Sequence, residues 1–142
     1  MNKISFKLAC VPPKSTHQAG LRIMKKKNGQ QFVGKFATSK SKHTQSELTM
    51  LIKEFAPPQP LIGPLKLKVR WVYPYRKAEP KKNRDMPIYC NTRPDCDNLV
   101  KGIKDIMTRL GFYLDDGQIA HLDFMKLWSD DYGIFITVEE LT

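Results

Sequence analysis

The sequence predicts one mixed α/β (α+β) domain over residues 1–142, a mixed β-sheet with two main helices packed against it. Three observations predict it. A length of 142 residues suits one ordinary domain that buries a core without staples. Stretches of strand-type alternation and helix-type stripes interleave along the chain. No apolar run approaches the roughly 20 residues of a membrane span.

Residues 3–11 read as a strand with Ile4, Phe6 and Leu8 on one face, ended by Pro12-Pro13. Between Thr16 and Thr38 the dipeptide Asn28-Gly29 signals a hairpin, since a type I′ turn needs φ > 0 at both central positions. Lys25-Lys26-Lys27 beside it is either a solvated loop or a contact to a phosphate backbone. Residues 40–55 read as a helix with the stripe Leu48, Leu51, Ile52 and Phe55, stopped by Pro57-Pro58-Gln59-Pro60.

From Leu65 to Tyr73, apolar residues alternate with Lys66, Lys68 and Arg70, a half-buried strand with a cationic outer face. The loop Pro74 to Arg93 then carries Arg76, Lys77, Lys81, Lys82, Arg84 and Arg93. At about 20 residues it is long for a structureless connection. Asp97 to Leu110 reads as the second helix, with Leu99, Ile103, Ile106 and Leu110 as its core stripe and Gly111 as its C-terminal cap. Ile119–Trp128 and Gly133–Glu139 are two further strands, joined by the turn Ser129-Asp130-Asp131-Tyr132.

Residues 1–90 hold 19 Lys/Arg against 4 Asp/Glu, a balance of +15, whereas residues 91–142 hold 5 against 10, a balance of −5. A basic body suits a polyanion, because each neutralised phosphate releases counterions. Charge alone separates neither DNA from RNA nor either from an acidic membrane. Cys10, Cys90 and Cys96 form no Cys-x-x-Cys pair, so a disulfide framework or a zinc site is not expected and a reducing cytoplasm is. Met1 to Cys10 lacks the continuous apolar stretch of a secretory signal. No membrane partner and no organic cofactor is expected.

The chemistry-bearing segment is Arg93-Pro94-Asp95-Cys96-Asp97-Asn98-Leu99-Val100-Lys101, followed by Asp105 and by Gly111-Phe112-Tyr113-Leu114-Asp115-Asp116. Asp95 or Asp97 could simply cap the helix. That accounts for one aspartate, and not for two with another pair arriving after the same helix. Three carboxylates that converge must take up protons or bind a cation, since two charges about 5 Å apart repel by roughly 3 kcal/mol at an effective dielectric of 20. An oxygen-only donor set suits Mg²⁺ or Mn²⁺. An EF-hand is excluded by Leu99 and Val100, where a polar ligand and a glycine would be needed. A helical wheel puts Asp97, Lys101 and Asp105 within about 80° of one another. They are either an exposed i,i+4 salt-bridge ladder or an ammonium beside a metal site. Asn98 either orients a catalytic aspartate or follows a helix-start preference. His17, His43 and His121 share no metal-ligand spacing, and Trp71, Trp128, Met24, Met50, Met107 and Cys96 read as packing residues.

On these residues the sequence resembles the RusA-type Holliday junction resolvases, endonucleases of bacteria and their phages. The carrying pattern is Asp-x-Asp-Asn-Leu-x-Lys, then Asp105, then Gly-Phe-x-Leu-Asp-Asp-x-Gln, from Asp95 through Gln118. The resemblance implies a homodimer that binds a four-way DNA junction and nicks two strands symmetrically with Mg²⁺, encoded by a bacterium, phage or prophage. It implies that Asp95, Asp97 and Asp116 are the catalytic, metal-holding carboxylates, that Lys101 is the essential lysine, and that Asp105 and Asp115 support them. The cations Lys66, Lys68, Arg70, Arg76, Lys77, Lys81, Lys82, Arg84 and Arg93 are then expected on DNA. Pro94 departs from the family, which tends to carry a basic residue there, and the basic loop is extended. Two other readings stand: a non-catalytic nucleic-acid-binding module, and a metal-dependent nuclease for other branched DNA or RNA.

Overall fold

The computed structural model describes residues 2–14, 19–25, 30–37 and 39–142. Its strands are β1 (Lys3–Leu8), β2 (Ala19–Lys25), β3 (Gln31–Ala37), β4 (Leu65–Tyr73), β5 (Ile88–Tyr89), β6 (Ile119–Trp128) and β7 (Gly133–Glu140). The helices are α1 (Ser39–Lys53) and α2 (Cys96–Arg109), with single 3₁₀ turns at Lys81–Asn83 and Asp116–Gln118. None of the described helices is long and apolar enough to cross a membrane.

Five strands form one mixed sheet in the order β1-β7-β4-β6-β5. The β4–β6 pair is parallel, and the β1–β7, β4–β7 and β5–β6 pairs are antiparallel. Alternation decides which face is buried. Leu65, Leu67, Val69, Trp71 and Tyr73 of β4 join Phe6 and Leu8 of β1 and Ile134, Ile136 and Val138 of β7 in one hydrophobic cluster. Leu48 and Ile52 of α1 and Leu99, Ile103 and Ile106 of α2 complete that cluster, so both helices pack on this face. Lys66, Lys68 and Arg70 point from the other.

β6 and β7 follow one another through the short turn 129–132, yet they are not neighbours. β4 lies between them and bonds to both, and the Ser129 amide donates to the Tyr73 carbonyl at 2.9 Å where the chain passes over the end of β4. β2 and β3 pair antiparallel from Ala19↔Ala37 to Lys25↔Gln31, the hairpin expected between Thr16 and Thr38. Asn28-Gly29, Lys26, Lys27 and His17 lie outside the described residues.

Helix α1 departs from its expected stripe. Its buried line is Gln45, Leu48 and Ile52, while Leu51 is 38% and Met50 73% exposed, so neither is a core residue. Phe55 lies beyond the helix, stacked on the Phe6 ring with centroids 4.5 Å apart. The Phe55 and Ala56 amides tighten the exit by donating to Ile52 and Lys53 at 3.0 and 3.2 Å, before Pro57. Trp71, Trp128 and Met107 are buried as expected. The 74–93 loop is not structureless. It contains the 3₁₀ turn and β5, and Arg84 ties it together by donating to the Glu79 and Arg76 carbonyls, both at 3.2 Å.

Candidate active site

Helix α2 begins after Asp95, whose extended backbone (φ −74°, ψ 149°) occupies the N-cap position. Its carbonyl accepts the Leu99 amide at 3.1 Å, but its carboxylate makes no capping hydrogen bond. The capping account of Asp95 is therefore not realised. Nor is the ladder: among the described residues Asp97, Lys101 and Asp105 form no ion pair. Asp95, Asp97 and Lys101 are exposed, and Asn98 and Asp105 are half-buried. The stripe Leu99, Ile103 and Ile106 is buried in the core, which turns Asp97 and Lys101 outward.

The helix ends as its glycine predicts. Gly111 takes φ +82°, its amide donates to Thr108 O at 3.2 Å, and the Phe112 amide donates to Met107 O at 3.0 Å, a full Schellman motif. Phe112 and Tyr113 are then buried. The Tyr113 hydroxyl donates back to the Lys104 carbonyl at 3.0 Å, and Leu61 pairs with Tyr113 in an isolated parallel bridge. Together these turn the chain back alongside α2.

Gln118 fastens the returning loop. Its Oε1 accepts the Leu114 and Asp115 amides at 2.9 and 3.0 Å, while Nε2 donates to the Gly63 and Leu61 carbonyls at 3.0 and 3.3 Å. All the strong positions of one amide are used. Asp115 is left exposed and Asp116 half-buried.

Asp116 returns to the side of α2 that carries Asp105. Asp105, Thr108, Arg109 and Asp116 line one concavity of about 440 Å³. Burial pushes the Tyr113 phenol up to about 12, and the nearby charges of Asp116 and Asp105 push the same way. Asp105 stands eight residues beyond Asp97, about 12 Å along the helix axis. The structure thus brings Asp116 and Asp105 together and leaves Asp95 and Asp97 at the N-terminal end. Among the described residues no three His, Cys, Asp or Glu side chains group closely enough to hold a metal ion.

The loop entering α2 has a partner that sequence reasoning missed. Lys126 of β6 donates from Nζ to the carbonyls of Thr92 and, at 2.7 Å, Pro94. The Arg93–Pro94 bond between those carbonyls is cis. The available signal was a lone lysine inside the apolar run Phe124-Met125-Lys126-Leu127-Trp128. Gln118 was visible as part of the spaced pattern, but its role was not.

The cations expected on DNA fall into two groups. Lys66, Lys68 and Arg70 lie on the open sheet face, away from both helices, where Lys68 and Arg70 help line a concavity of about 550 Å³ with Val72, Phe135 and Thr137. Arg70 is engaged there by Asp123. In the loop, the Arg76 guanidinium sits 4.3 Å from the Trp128 ring centroid, and Arg84 serves the loop's own carbonyls. Lys77, Lys81, Lys82 and Arg93 are exposed.

A model of the family described as endodeoxyribonuclease RusA matches residues 11–139. The uncharacterized protein YqaN of Bacillus subtilis (strain 168) is 27% identical over 110 residues, covering 73% of this chain and 77% of that protein. The crossover junction endodeoxyribonuclease rusA of Lactococcus phage r1t is 36% identical over 78 residues, covering 55% of this chain and 56% of the phage protein.

Proposed function

The chain belongs to the RusA endodeoxyribonuclease family, and from that premise we propose that it resolves four-way (Holliday) DNA junctions by paired symmetric nicks with Mg²⁺. Residues 1–142 act as one nuclease domain, in the cytoplasm of a bacterium or of a cell carrying the phage or prophage that encodes it. Asp95, Asp97 and Asp116 hold the cation, and Mn²⁺ substitutes for it. The observation that carries this reading is the start of α2, where the Asp95 carboxylate makes no cap bond and Asp97 and Lys101 are exposed and, among the described residues, form no ion pair.

The donors fit a hard cation. They are carboxylate oxygens without imidazole or thiolate, and Mg²⁺ is commonly held by one or two carboxylates together with waters and substrate phosphates. Because no three carboxylates group among the described residues, the complete set would form only with DNA and the ion present, the DNA phosphate supplying part of the shell. When bound, the ion polarises the scissile phosphate and lowers the pKa of water.

The chain's own residues do the rest. A carboxylate oxygen of the aspartate set orients the attacking water in line with the leaving 3′ oxygen. The Lys101 ammonium offsets charge that grows on the phosphoryl oxygens or the leaving group. Asp105 and Asp115 flank Asp116, and Asn98 lies beside Asp97. Lys77, Lys81, Lys82 and Arg93, with Lys66, Lys68, Arg70, Arg76 and Arg84 as further cations, neutralise the backbone of the junction arms. A homodimer with two-fold symmetry matches two equivalent strands with two equivalent sites.

Purified protein is incubated with a synthetic four-way junction, a fork, a linear duplex and RNA, each with and without Mg²⁺. Paired nicks in the junction that need Mg²⁺ are expected, and Asp97→Asn is expected to abolish them while junction binding persists or tightens. A junction left uncut, or an Asp97→Asn variant cutting at the normal rate, would refute the reading. Sedimentation analysis checks the dimer.

A further inference from the structure

Asp95 is fixed from both sides. Its own carbonyl is held by the Leu99 amide at 3.1 Å, within the first turn of α2. The carbonyl before it, that of Pro94, accepts from the Lys126 ammonium at 2.7 Å, and the same ammonium binds the Thr92 carbonyl. Both peptide planes flanking the Asp95 Cα are therefore tied down. Those planes set the direction of the Cα–Cβ bond, and with it where a carboxylate that makes no cap bond can reach.

Lys126 is well placed for this. It lies on β6, directly opposite Trp71 of β4, so its stem starts from the helix-facing side of the sheet and from a strand paired along its length. Its own carbonyl accepts the Cys90 amide at 3.0 Å, which anchors the base of the loop as well. Among the described residues Lys126 forms no ion pair, so its charge is directed at carbonyls. Hydrogen bonds from an ammonium are roughly twice as strong as neutral ones.

We propose that Lys126 is a positioning residue of the nuclease site: its ammonium clamps the Thr92 and Pro94 carbonyls and so sets the direction of the Asp95 carboxylate. The proposal rests on the functional reading above. It assigns no contact between Lys126 and DNA.

The test compares the full chain with Lys126→Met and Lys126→Arg. Three quantities are measured: kcat and KM for junction nicking, junction affinity without divalent metal, and hydrogen exchange of the Leu99 amide and residues 90–99. Misplacing a reacting group by about 1 Å costs about 10²-fold in rate, so Lys126→Met is expected to lower kcat by about 10- to 100-fold. Metal-free junction affinity is expected to stay within about twofold, because no phosphate contact is removed. Exchange is expected to quicken over 90–99 and not in β4 or β7, and Lys126→Arg is expected to restore most of kcat.

The proposal is overturned if Lys126→Met cuts at the normal rate, if the loss appears equally in metal-free binding, or if exchange quickens throughout the sheet. Should the unaltered protein leave every junction uncut, the functional reading fails, while the exchange measurement still decides whether Lys126 holds the loop.

Discussion

Arg70 and Asp123 stand on neighbouring parallel strands and share two hydrogen bonds, Nη1 to Oδ1 at 2.9 Å and Nη2 to Oδ2 at 3.1 Å. The hydrogen bond from Arg70 holds the Asp123 carboxyl below its ordinary value. A carboxyl depressed in this way stabilises the fold above its unfolded pKa, and that contribution is lost as pH falls through the folded value. Because the pair is partly exposed, Asp123→Asn is expected to cost at most about 1 kcal/mol at neutral pH. The difference from the unaltered protein closes below about pH 4, as urea unfolding at several pH values would show. Arg70→Gln is expected to weaken junction binding less than Lys68→Gln, because Arg70 is hydrogen-bonded to Asp123 whereas Lys68 only faces that carboxylate across the strands.

Asp95 separates catalysis from stability. Removing a working N-cap costs about 1 kcal/mol, but this carboxylate makes no cap bond. Asp95→Asn is expected to change unfolding by less than about 0.5 kcal/mol while slowing cutting by at least about 100-fold. A full capping cost with undiminished cutting would return Asp95 to a purely structural role.

Gln118→Leu leaves two amides and two carbonyls without their partner. With water reaching part of the site, a loss of about 1–3 kcal/mol is expected in denaturant unfolding. Nicking is expected to fall as well, because the loop that delivers Asp116 is no longer fastened to 61–63.

Two buried phenols set an alkaline limit. Burial pushes Tyr73 and Tyr113 each up to about 12. In the unfolded chain they ionise near 10. The folded state thus keeps its full stability below about pH 10 and loses it as pH rises toward about 12. Ultraviolet titration is expected to show Tyr73 and Tyr113 ionising last, and Tyr113→Phe to remove one of these late steps and soften the alkaline loss.

Two glycines should respond unequally to alanine. Gly111 has φ +82° and nothing within 4 Å of an added Cβ, so only backbone strain of about 1–2 kcal/mol is expected. At Gly133, with φ +147°, an added Cβ would meet the Leu8 carbonyl at 2.8 Å and Lys7 Cε at 2.9 Å. Gly133→Ala is expected to cost clearly more, read as the larger fall in thermal midpoint. Equal falls would mean that β1 can yield.

Periodicity revealed most of the fold because alternation and stripes are local. The bounds of β4 and β6 match those read from the sequence. What sequence could not reveal is pairing across distance. A four-residue turn between Trp128 and Gly133 suggests adjacent strands, and nothing nearby in the chain announces that β4 comes between them. The α1 stripe failed at Leu51 and Phe55 because Gln45, a polar residue, took the buried line. In the site, spacing marked the acidic segment and the family resemblance picked Asp95, Asp97 and Asp116 from it, whereas the meeting of Asp116 with Asp105 depends on a loop fastened by Gln118. The apolar run around Lys126 marked its position but not its role, because its partners are backbone carbonyls, which carry no residue identity.

Among the described residues β1 pairs with β7 alone, from Lys3↔Glu139 to Leu8↔Ile134. β1 therefore reaches the rest of the sheet only through a strand more than a hundred residues further along the chain. Without β7 the backbone of β1 has no strand to pair with, although the Phe6 ring still meets Phe55, and the gap between β1 and β4 stays open. A product broken off before Gly133 is a half-built sheet with oily edges, a target for chaperones and proteases. β7 is thus the strand that joins β1 to the rest of the sheet, and residues 133–140 hold together elements that lie far apart in the sequence.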